Sequence, residues 1–361
     1  MTSPTVCGFP PKLEGLSFDQ QTIINYRNSD KILCMRISLS YKCNLKCKYC
    51  YTNELIDNKK EGPYKDFINI VDQGTELGLK SVVILGGEPL IYPYIFDFLE
   101  YLYDNKIIPV VFTNGILITQ EIAKRLYDLN VSILVKFDGY KETQDFLSGF
   151  GTFEKIQMGL SNLISLGYNR CPENSLKLGC ASVVTKINCG EIINIWEYLR
   201  NNNLFPHVEK MTITNDNAYL AASSEKLSKL FSNLREIDKR EYKIQWIGPC
   251  PAIPAHNCSI LFSGCYINPY LEVSVCPEIP PVKNLRKMTL RDIIQTEYFQ
   301  KARNIDKYIK GKCSSCKYLI EGPCHGCRSK VLKMSGNLFD EDRECHYPEG
   351  ELKGGEIQWN Q

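Results

Sequence analysis

Ser40-Tyr41-Lys42-Cys43-Asn44-Leu45-Lys46-Cys47-Lys48-Tyr49-Cys50-Tyr51 places three cysteines within eight residues, at the end of a short strand candidate at 36–40. Three thiolates on one loop can grip three irons of a four-iron cubane. The fourth iron then has no protein ligand, whereas an electron-carrying cluster normally takes four cysteines. An open iron is where a small molecule binds and reacts. Two other readings of the same residues stand beside this one. Structural zinc wants four ligands, and no further Cys or His lies within a dozen residues downstream. Inert packed thiols are the third reading.

Outward from this loop, apolar runs at 36–40, 81–85, 108–112, 132–137, 178–184 and 208–213 alternate with helical patterns at 64–78, 94–105, 119–129, 152–166 and 191–201. Such alternation predicts parallel strands joined by helical crossovers. The nearly continuous apolar strands fit a sheet covered on both faces. The fold class is therefore α/β, a partial (βα)6 TIM-like barrel with a C-terminal cysteine-rich domain. Chemistry in such sheets gathers in the loops after the strands' carboxyl ends. A further amphipathic helix is expected at 223–240. The boundaries read as an N-terminal extension 1–30, a core 31–241, a cysteine-rich domain 242–348 and a tail 349–361, the extension and tail being uninformative.

Composition narrows the class. The 361 residues are 43% hydrophobic and 23% charged, with 43 basic against 41 acidic residues and a net charge of +2. This balance suits a globular protein and gives no general electrostatic case for nucleic acid. No basic-then-apolar start suggests a secretory signal, and no apolar run is long enough to cross a bilayer. The expectation is a soluble, cytoplasmic protein without membrane association. Seventeen cysteines, an odd number, do not make a disulfide framework in a reducing compartment; grouped thiolates suggest metal.

The cysteine loop resembles the hallmark of the radical SAM superfamily, and the resemblance extends over roughly 31–215. Gly86-Gly87-Glu88-Pro89, after the second strand, is similar to the family segment that contacts the methionyl amino group of S-adenosylmethionine. Alone it is an ordinary turn, although glycines let backbone approach a ligand closely. Asn114, within Thr113-Asn114-Gly115, and Tyr49, in the loop's aromatic slot, also match cofactor-contacting positions. Lys136, before Phe137-Asp138-Gly139, departs from the usual Ser or Asn; it reads as a partner for the cofactor carboxylate or as a rim charge. Ser182 reads as a second carboxylate contact or as a packed strand serine. The resemblance implies that S-adenosylmethionine chelates the open iron and is cleaved by one electron to methionine and a 5′-deoxyadenosyl radical, which takes a hydrogen atom from substrate. A low-potential donor such as flavodoxin or ferredoxin is implied with it.

The second group runs Cys258-x6-Cys265-x10-Cys276, then Cys313-x2-Cys316-x7-Cys324-x2-Cys327-x17-Cys345. Eight cysteines suffice for two fully ligated four-iron clusters, and four of them alone also resemble a zinc site. Behind a core of this kind the run is similar to a SPASM domain. That resemblance implies a first auxiliary cluster on Cys258, Cys265, Cys276 and Cys327 and a second on Cys313, Cys316, Cys324 and Cys345, making three [4Fe-4S] clusters in all. Departures are the spacings of seven and two where the family has five and three, and Leu271 where it has glycine. Cys250 is a spare that could displace Cys258 or Cys265. Cys7, Cys34, Cys171, Cys180 and Cys189 read as small apolar side chains. His256, His325 and His346 flank assigned ligands and either tune the clusters or cap turns; His207 has no chemical company.

Fully ligated auxiliary clusters suit electron transfer and hence net oxidation, in which a carboxylate base removes a proton. Glu278, near Cys276, is the candidate base or an exposed loop residue. Pro277 stands where sulfatase-maturing relatives have aspartate. The resemblance implies an oxidoreductase or maturase acting on a peptide or protein. The alternative is a dehydrogenase of a small molecule such as a sugar or aminocyclitol, and the remote alternative a non-catalytic zinc-binding protein. Forty-two residues precede Cys43, too few for a winged-helix-sized module, so leader-dependent peptide binding is expected to need a separate partner.

Overall fold

A computed structural model describes residues 12–246, 253–254, 258–320 and 324–345. Six parallel strands form its centre: β1 Cys34–Ser38, β2 Ser81–Leu85, β3 Ile108–Thr113, β4 Ser132–Lys136, β5 Leu178–Val184 and β6 Phe205–Lys210. The crossovers are helical: α1 Tyr64–Glu76, α2 Ile95–Asp104, α3 Gln120–Asp128, α4 Lys141–Ser148, α5 Thr152–Ser165 and α6 Ile192–Asn201, followed by α7 Ser224–Ile237. Short polar caps set several starts; Thr119 accepts from the Ile122 N–H and Ser223 from the Lys226 N–H. α4 was not expected from the sequence. It is only eight residues long, too short for periodicity to stand out.

The sheet does not end where the sequence suggests a domain boundary. β7 Gly264–Ile267 pairs in parallel with β1, and β8 Glu272–Ser274 and β9 Lys283–Asn284 add antiparallel strands. The order is linear, β9-β8-β7-β1-β2-β3-β4-β5-β6. The cysteine-rich region is thus joined to the barrel by main-chain hydrogen bonds as well as by side chains. The region before residue 30 also has a role that composition did not reveal. Lys12–Leu13 pairs with Ser175–Leu176, and Leu13 and Leu176 close an apolar plug with Cys34, Val83, Val110 and Leu134. That plug fills one end of the barrel interior.

Side chains alternate across each strand. The larger apolar core, including Met35, Ile37, Val82, Ile84, Val111 and Ile133, packs between sheet and helices. Positions one residue away face the interior. After α7 a π-turn, Asp238–Tyr242, carries Asp238 back into the core. Its fully buried carboxylate accepts from Trp196 Nε1 at 2.7 Å, Arg200 Nε at 3.0 Å and Nη2 at 2.6 Å, and Trp246 Nε1 at 2.8 Å. Removing one member of a buried pair leaves an uncompensated charge. Asp238→Ala is expected to destabilise the protein by about 3–5 kcal/mol, read as a lowered urea midpoint with tryptophan fluorescence as the probe.

Candidate active site

The cysteine loop leaves β1 and is held along its whole length. Ser40 Oγ donates to the Glu61 carboxylate at 3.0 Å, and the Tyr41 N–H donates to it at 3.2 Å. Farther on, the Lys48 N–H donates to Leu147 O at 2.9 Å and Asn217 Nδ2 to Tyr49 O at 3.0 Å. α4 therefore supports the loop from below. Cys43 is exposed, and Cys47 and Cys50 are half-buried. Burial pushes the Cys47 thiol up to about 11.

The Gly-Gly-Glu turn after β2 packs against this loop backbone to backbone. The Gly87 N–H donates to Ser40 O at 3.0 Å and the Glu88 N–H to Lys42 O at 2.9 Å. A Cβ on Gly87 would lie 1.9 Å from Lys42 O, and one on Gly86, where φ is +119°, would lie 2.4 Å from Ser40 O. The contact that demands these glycines is thus the neighbouring main chain, where the sequence suggested a bound ligand. Glu88 is buried, and its carboxylate takes the N–H groups of Leu90 and Asn114 and the Thr113 hydroxyl at 2.7–3.0 Å. Burial raises its pKa in spite of those donors. Asn114 in turn reaches Asn44 Oδ1 at 2.7 Å. Pro89 starts the following 3-10 turn and is buried.

At the end of β4, Lys136 pairs with the fully buried Asp138 at 3.3 Å and lies 5.2 Å above the Tyr49 ring. The Tyr49 hydroxyl donates to the same Asp138 carboxylate, which also accepts from the Val183 N–H at 2.7 Å. Ser182 is brought elsewhere: its hydroxyl donates to Phe137 O, away from the cavity described next.

Cys43, Cys47 and Cys50 open into a cavity of about 260 Å³. Gly86, Gly87, Glu88, Asn114, Tyr49 and Lys136 share its wall. Cys258, Cys276, Cys327 and Glu278 line the same cavity. Cys276 lies within electrostatic range of Cys258 and Cys327. Glu278 is half-buried and accepts from Ser329 Oγ at 2.9 Å, so it faces the cavity and is no exposed loop glutamate. Three further side chains line the cavity that the sequence did not mark as functional, Arg36, His207 and Glu209. His207 has chemical company after all: Nε2 is 3.8 Å from the Glu209 carboxylate, and its ring meets Phe112 edge-on. Burial pushes Glu209 up, but bonding and charge from His207, with Lys136 and Arg36, outweigh it and hold the carboxyl down at about 2. A charge inside a strand covered on both faces, as Arg36 is within Cys34–Ser38, was the available signal.

Cys265 is not brought to the auxiliary group. It lies on β7 opposite Met35, so strand alternation turns it toward the helix-side core with Met35, away from the interior that Tyr266 faces through Ser38. It is fully buried, and burial raises its thiol to about 12. Cys250, His256 and His346 lie outside the described residues. Leu271 keeps the backbone that would select glycine, with φ at +63°. The left-handed conformation costs roughly 1–2 kcal/mol; burial of the side chain against Gly62 offsets it, because a Cβ on Gly62 would sit 2.5 Å from Leu271 Cδ2.

Cys313, Cys316, Cys324 and Cys345 gather in the turns beyond. The Asp342 N–H donates to Cys313 Sγ at 3.4 Å, and the Cys345 N–H to Asp342 O at 3.2 Å. Among the described residues no three His, Cys, Asp or Glu side chains converge on one point as ligands of a single ion would. A cubane takes one thiolate per iron and spreads its ligands. Orphaned donors also suit sulfur-rich clusters: among the described residues Arg328 Nε and Nη2 are buried without a hydrogen-bond partner. Burial holds His325 down at about 4 and hence neutral, while Cys258 O lies 2.8 Å from Nε2. The residues fit the groups. Of the remaining cysteines, Cys34 and Cys180 are buried, Cys189 is half-buried, Cys171 is disulfide-bonded and Cys7 lies outside the described residues. No helix among the described residues is long and apolar enough to cross a membrane.

Comparison with known proteins agrees with this geometry. The Radical SAM superfamily model matches residues 37–176, and that of an iron-sulfur cluster-binding domain, SPASM, matches 258–317. The AdoMet-dependent heme synthase of Methanosarcina barkeri is 24% identical over 371 residues, covering 91% of this chain and 99% of that protein. The mycofactocin maturase MftC of Mycobacterium tuberculosis is 29% identical over 144 residues, covering 39% of this chain and 37% of the maturase. Among solved structures, Streptococcus suis SuiB bound to S-adenosylmethionine superposes with a TM-score of 0.69 at 20% identity, over 90% of this chain and 80% of SuiB. The chain belongs to the radical SAM superfamily and carries a C-terminal SPASM iron–sulfur domain.

Proposed function

We propose that this protein is an oxidoreductase or maturase that modifies a peptide or protein by hydrogen-atom abstraction. One observation carries the reading: a single cavity is lined both by Cys43, Cys47 and Cys50 and by Cys258, Cys276 and Cys327. Bound there, a cluster and S-adenosylmethionine supply one-electron sulfonium cleavage and a 5′-deoxyadenosyl radical. The chain supplies position. Glu88 and Asn114 hold the cysteine loop in register, and Lys136 offers a cation beside Tyr49 for a carboxylate. Glu278, oriented by Ser329, is placed to accept a proton from substrate on the auxiliary side. A peptide substrate is supported by SuiB, whose structure has also been solved with the precursor peptide SuiA, and by the maturase MftC.

A second reading, a tetrapyrrole substrate, is favoured by the match to nearly the full length of the heme synthase. The two separate in one anaerobic assay with dithionite and S-adenosylmethionine. Release of 5′-deoxyadenosine coupled to a mass change in a peptide encoded beside the gene supports the first; coupling to a change in an iron porphyrin supports the second.

Two sets of variants test the division of labour. Cys47→Ala is expected to abolish reductive cleavage, whereas Cys316→Ala spares cleavage and loses product; identical behaviour would refute separate roles. For the first auxiliary site, the ligands proposed from the described residues are Cys258, Cys276 and Cys327, without Cys265. Cys276→Ala should then lose about four irons per chain, and Cys265→Ala should retain the wild-type iron content by colorimetric assay.

A further inference from the structure

Arg328 follows Cys327 at the start of α8 Arg328–Ser335 and is almost completely buried. Its Nη1 donates to Leu338 O at 3.0 Å and Asp340 O at 2.7 Å. Among the described residues its Nε and Nη2 have no hydrogen-bond partner, although both are buried. Leaving a buried donor unsatisfied is costly, the more so where the group is charged. Some acceptor that protein atoms do not provide is expected beside them. The guanidinium lies within electrostatic range of Cys327, on the side of the first auxiliary site, and of Cys313 and Cys324, on the side of the second.

Asp342 bridges the same gap through hydrogen bonds. Its Oδ2 accepts from the Cys327 N–H at 2.8 Å, its N–H donates to Cys313 Sγ at 3.4 Å, and its carbonyl accepts from the Cys345 N–H. The space between the two side chains is kept open by Gly326. A Cβ there would fall 2.6 Å from Arg328 Nη2 and 2.9 Å from Asp342 Oδ2, and its φ of +67° also selects glycine. One cation and one anion, each nearly inaccessible to water, thus stand between two sets of cysteines.

We propose that Arg328 and Asp342 form an electrostatic junction between the two auxiliary clusters, with the free Arg328 N–H groups donating to cluster sulfur and so setting both reduction potentials. This rests on the assignment of two auxiliary clusters made above. The physical basis is general: a reduced cluster carries one more negative charge than an oxidised one, and cations or donors at its sulfurs favour the reduced state. Burial removes the water that would otherwise screen the effect. Arg328 and Asp342 are positioning residues in this scheme, and they act in opposite directions.

The test is a potentiometric titration of the iron-loaded enzyme, followed by electron paramagnetic resonance, on wild type, Arg328→Gln, Arg328→Lys and Asp342→Asn. Iron and sulfide are counted for each. Arg328→Gln should shift both auxiliary clusters to more negative potential and leave the cluster of the Cys43 loop unmoved. Arg328→Lys, which keeps the charge but lacks the planar fork, should fall between Gln and wild type. Asp342→Asn should move the auxiliary clusters to more positive potential. Variants with full iron whose auxiliary potentials equal wild type overturn the junction, as do Arg328→Gln and Asp342→Asn shifts of the same sign, which mark mere loosening of the fold. If Arg328→Gln fails to load iron, the sign of the Asp342→Asn shift decides alone. Wild-type enzyme that loads only about eight irons, one auxiliary cluster beside that of the Cys43 loop, refutes the two-cluster assignment itself, a result distinct from the others.

Discussion

The contact between the Gly86-Gly87 turn and the backbone of Ser40–Lys42 is the constraint on which the rest of the site depends. Two main-chain hydrogen bonds cross it, and no side chain fits between the chains at Gly87. Because of this contact, the loop that presents Cys43, Cys47 and Cys50 is part of the barrel rim and not a free excursion from it. Glu88 extends the arrangement by one strand, since its buried carboxylate gathers donors from the third βα loop. Three successive strand ends are therefore locked to one another before any cofactor is considered. Preorganisation of this kind suits a site whose chemistry belongs to a bound group and whose protein supplies geometry.

The barrel interior is divided between two jobs by the alternation of its strands. One end is sealed by Leu13 and Leu176 with the apolar plug, and the other carries the polar side chains Arg36, Lys136, His207 and Glu209. Burial pushes the Glu209 carboxyl up, and His207, Lys136 and Arg36 more than offset this and hold it down. The cysteine-rich region completes the chamber from outside. β7 lies directly beside β1, which fixes the side of the barrel on which Cys258 and Cys276 arrive. The two halves of the proposed chemistry thus line one cavity for a topological reason, the continuation of the sheet past its first strand.

Much of the fold was legible in the chain itself. The six central strands lie within a few residues of their expected places, because β-branched runs flanked by turn residues have few alternatives. The cysteine loop was equally plain, since its three thiols are close in sequence. Three features were hidden. The partner of Lys12–Leu13 lies more than 160 residues away in the chain, so nothing local marks those residues as the barrel's plug. His207 looked isolated because its partner, Glu209, becomes a neighbour only when alternate residues of a strand share a face. Glu278 looked like a loop carboxylate because its contact with Ser329 crosses 51 positions.

Cys265 marks the line between the two sources of information most clearly. By sequence alone the protein was determined to be an α/β chain with three closely spaced thiols, a Gly-Gly-Glu turn one unit later and a second cysteine run at its end. Those are matters of residue type and local spacing, which the chain carries in one dimension. Which of the later cysteines share a site was decided only by tertiary structure. A strand sends neighbouring side chains to opposite faces, and the pairing of β7 with β1 turned Cys265 into the core while Cys258, Cys276 and Cys327 reached the cavity. Spacing counts residues, but a ligand set depends on direction, and direction is fixed only when the sheet forms.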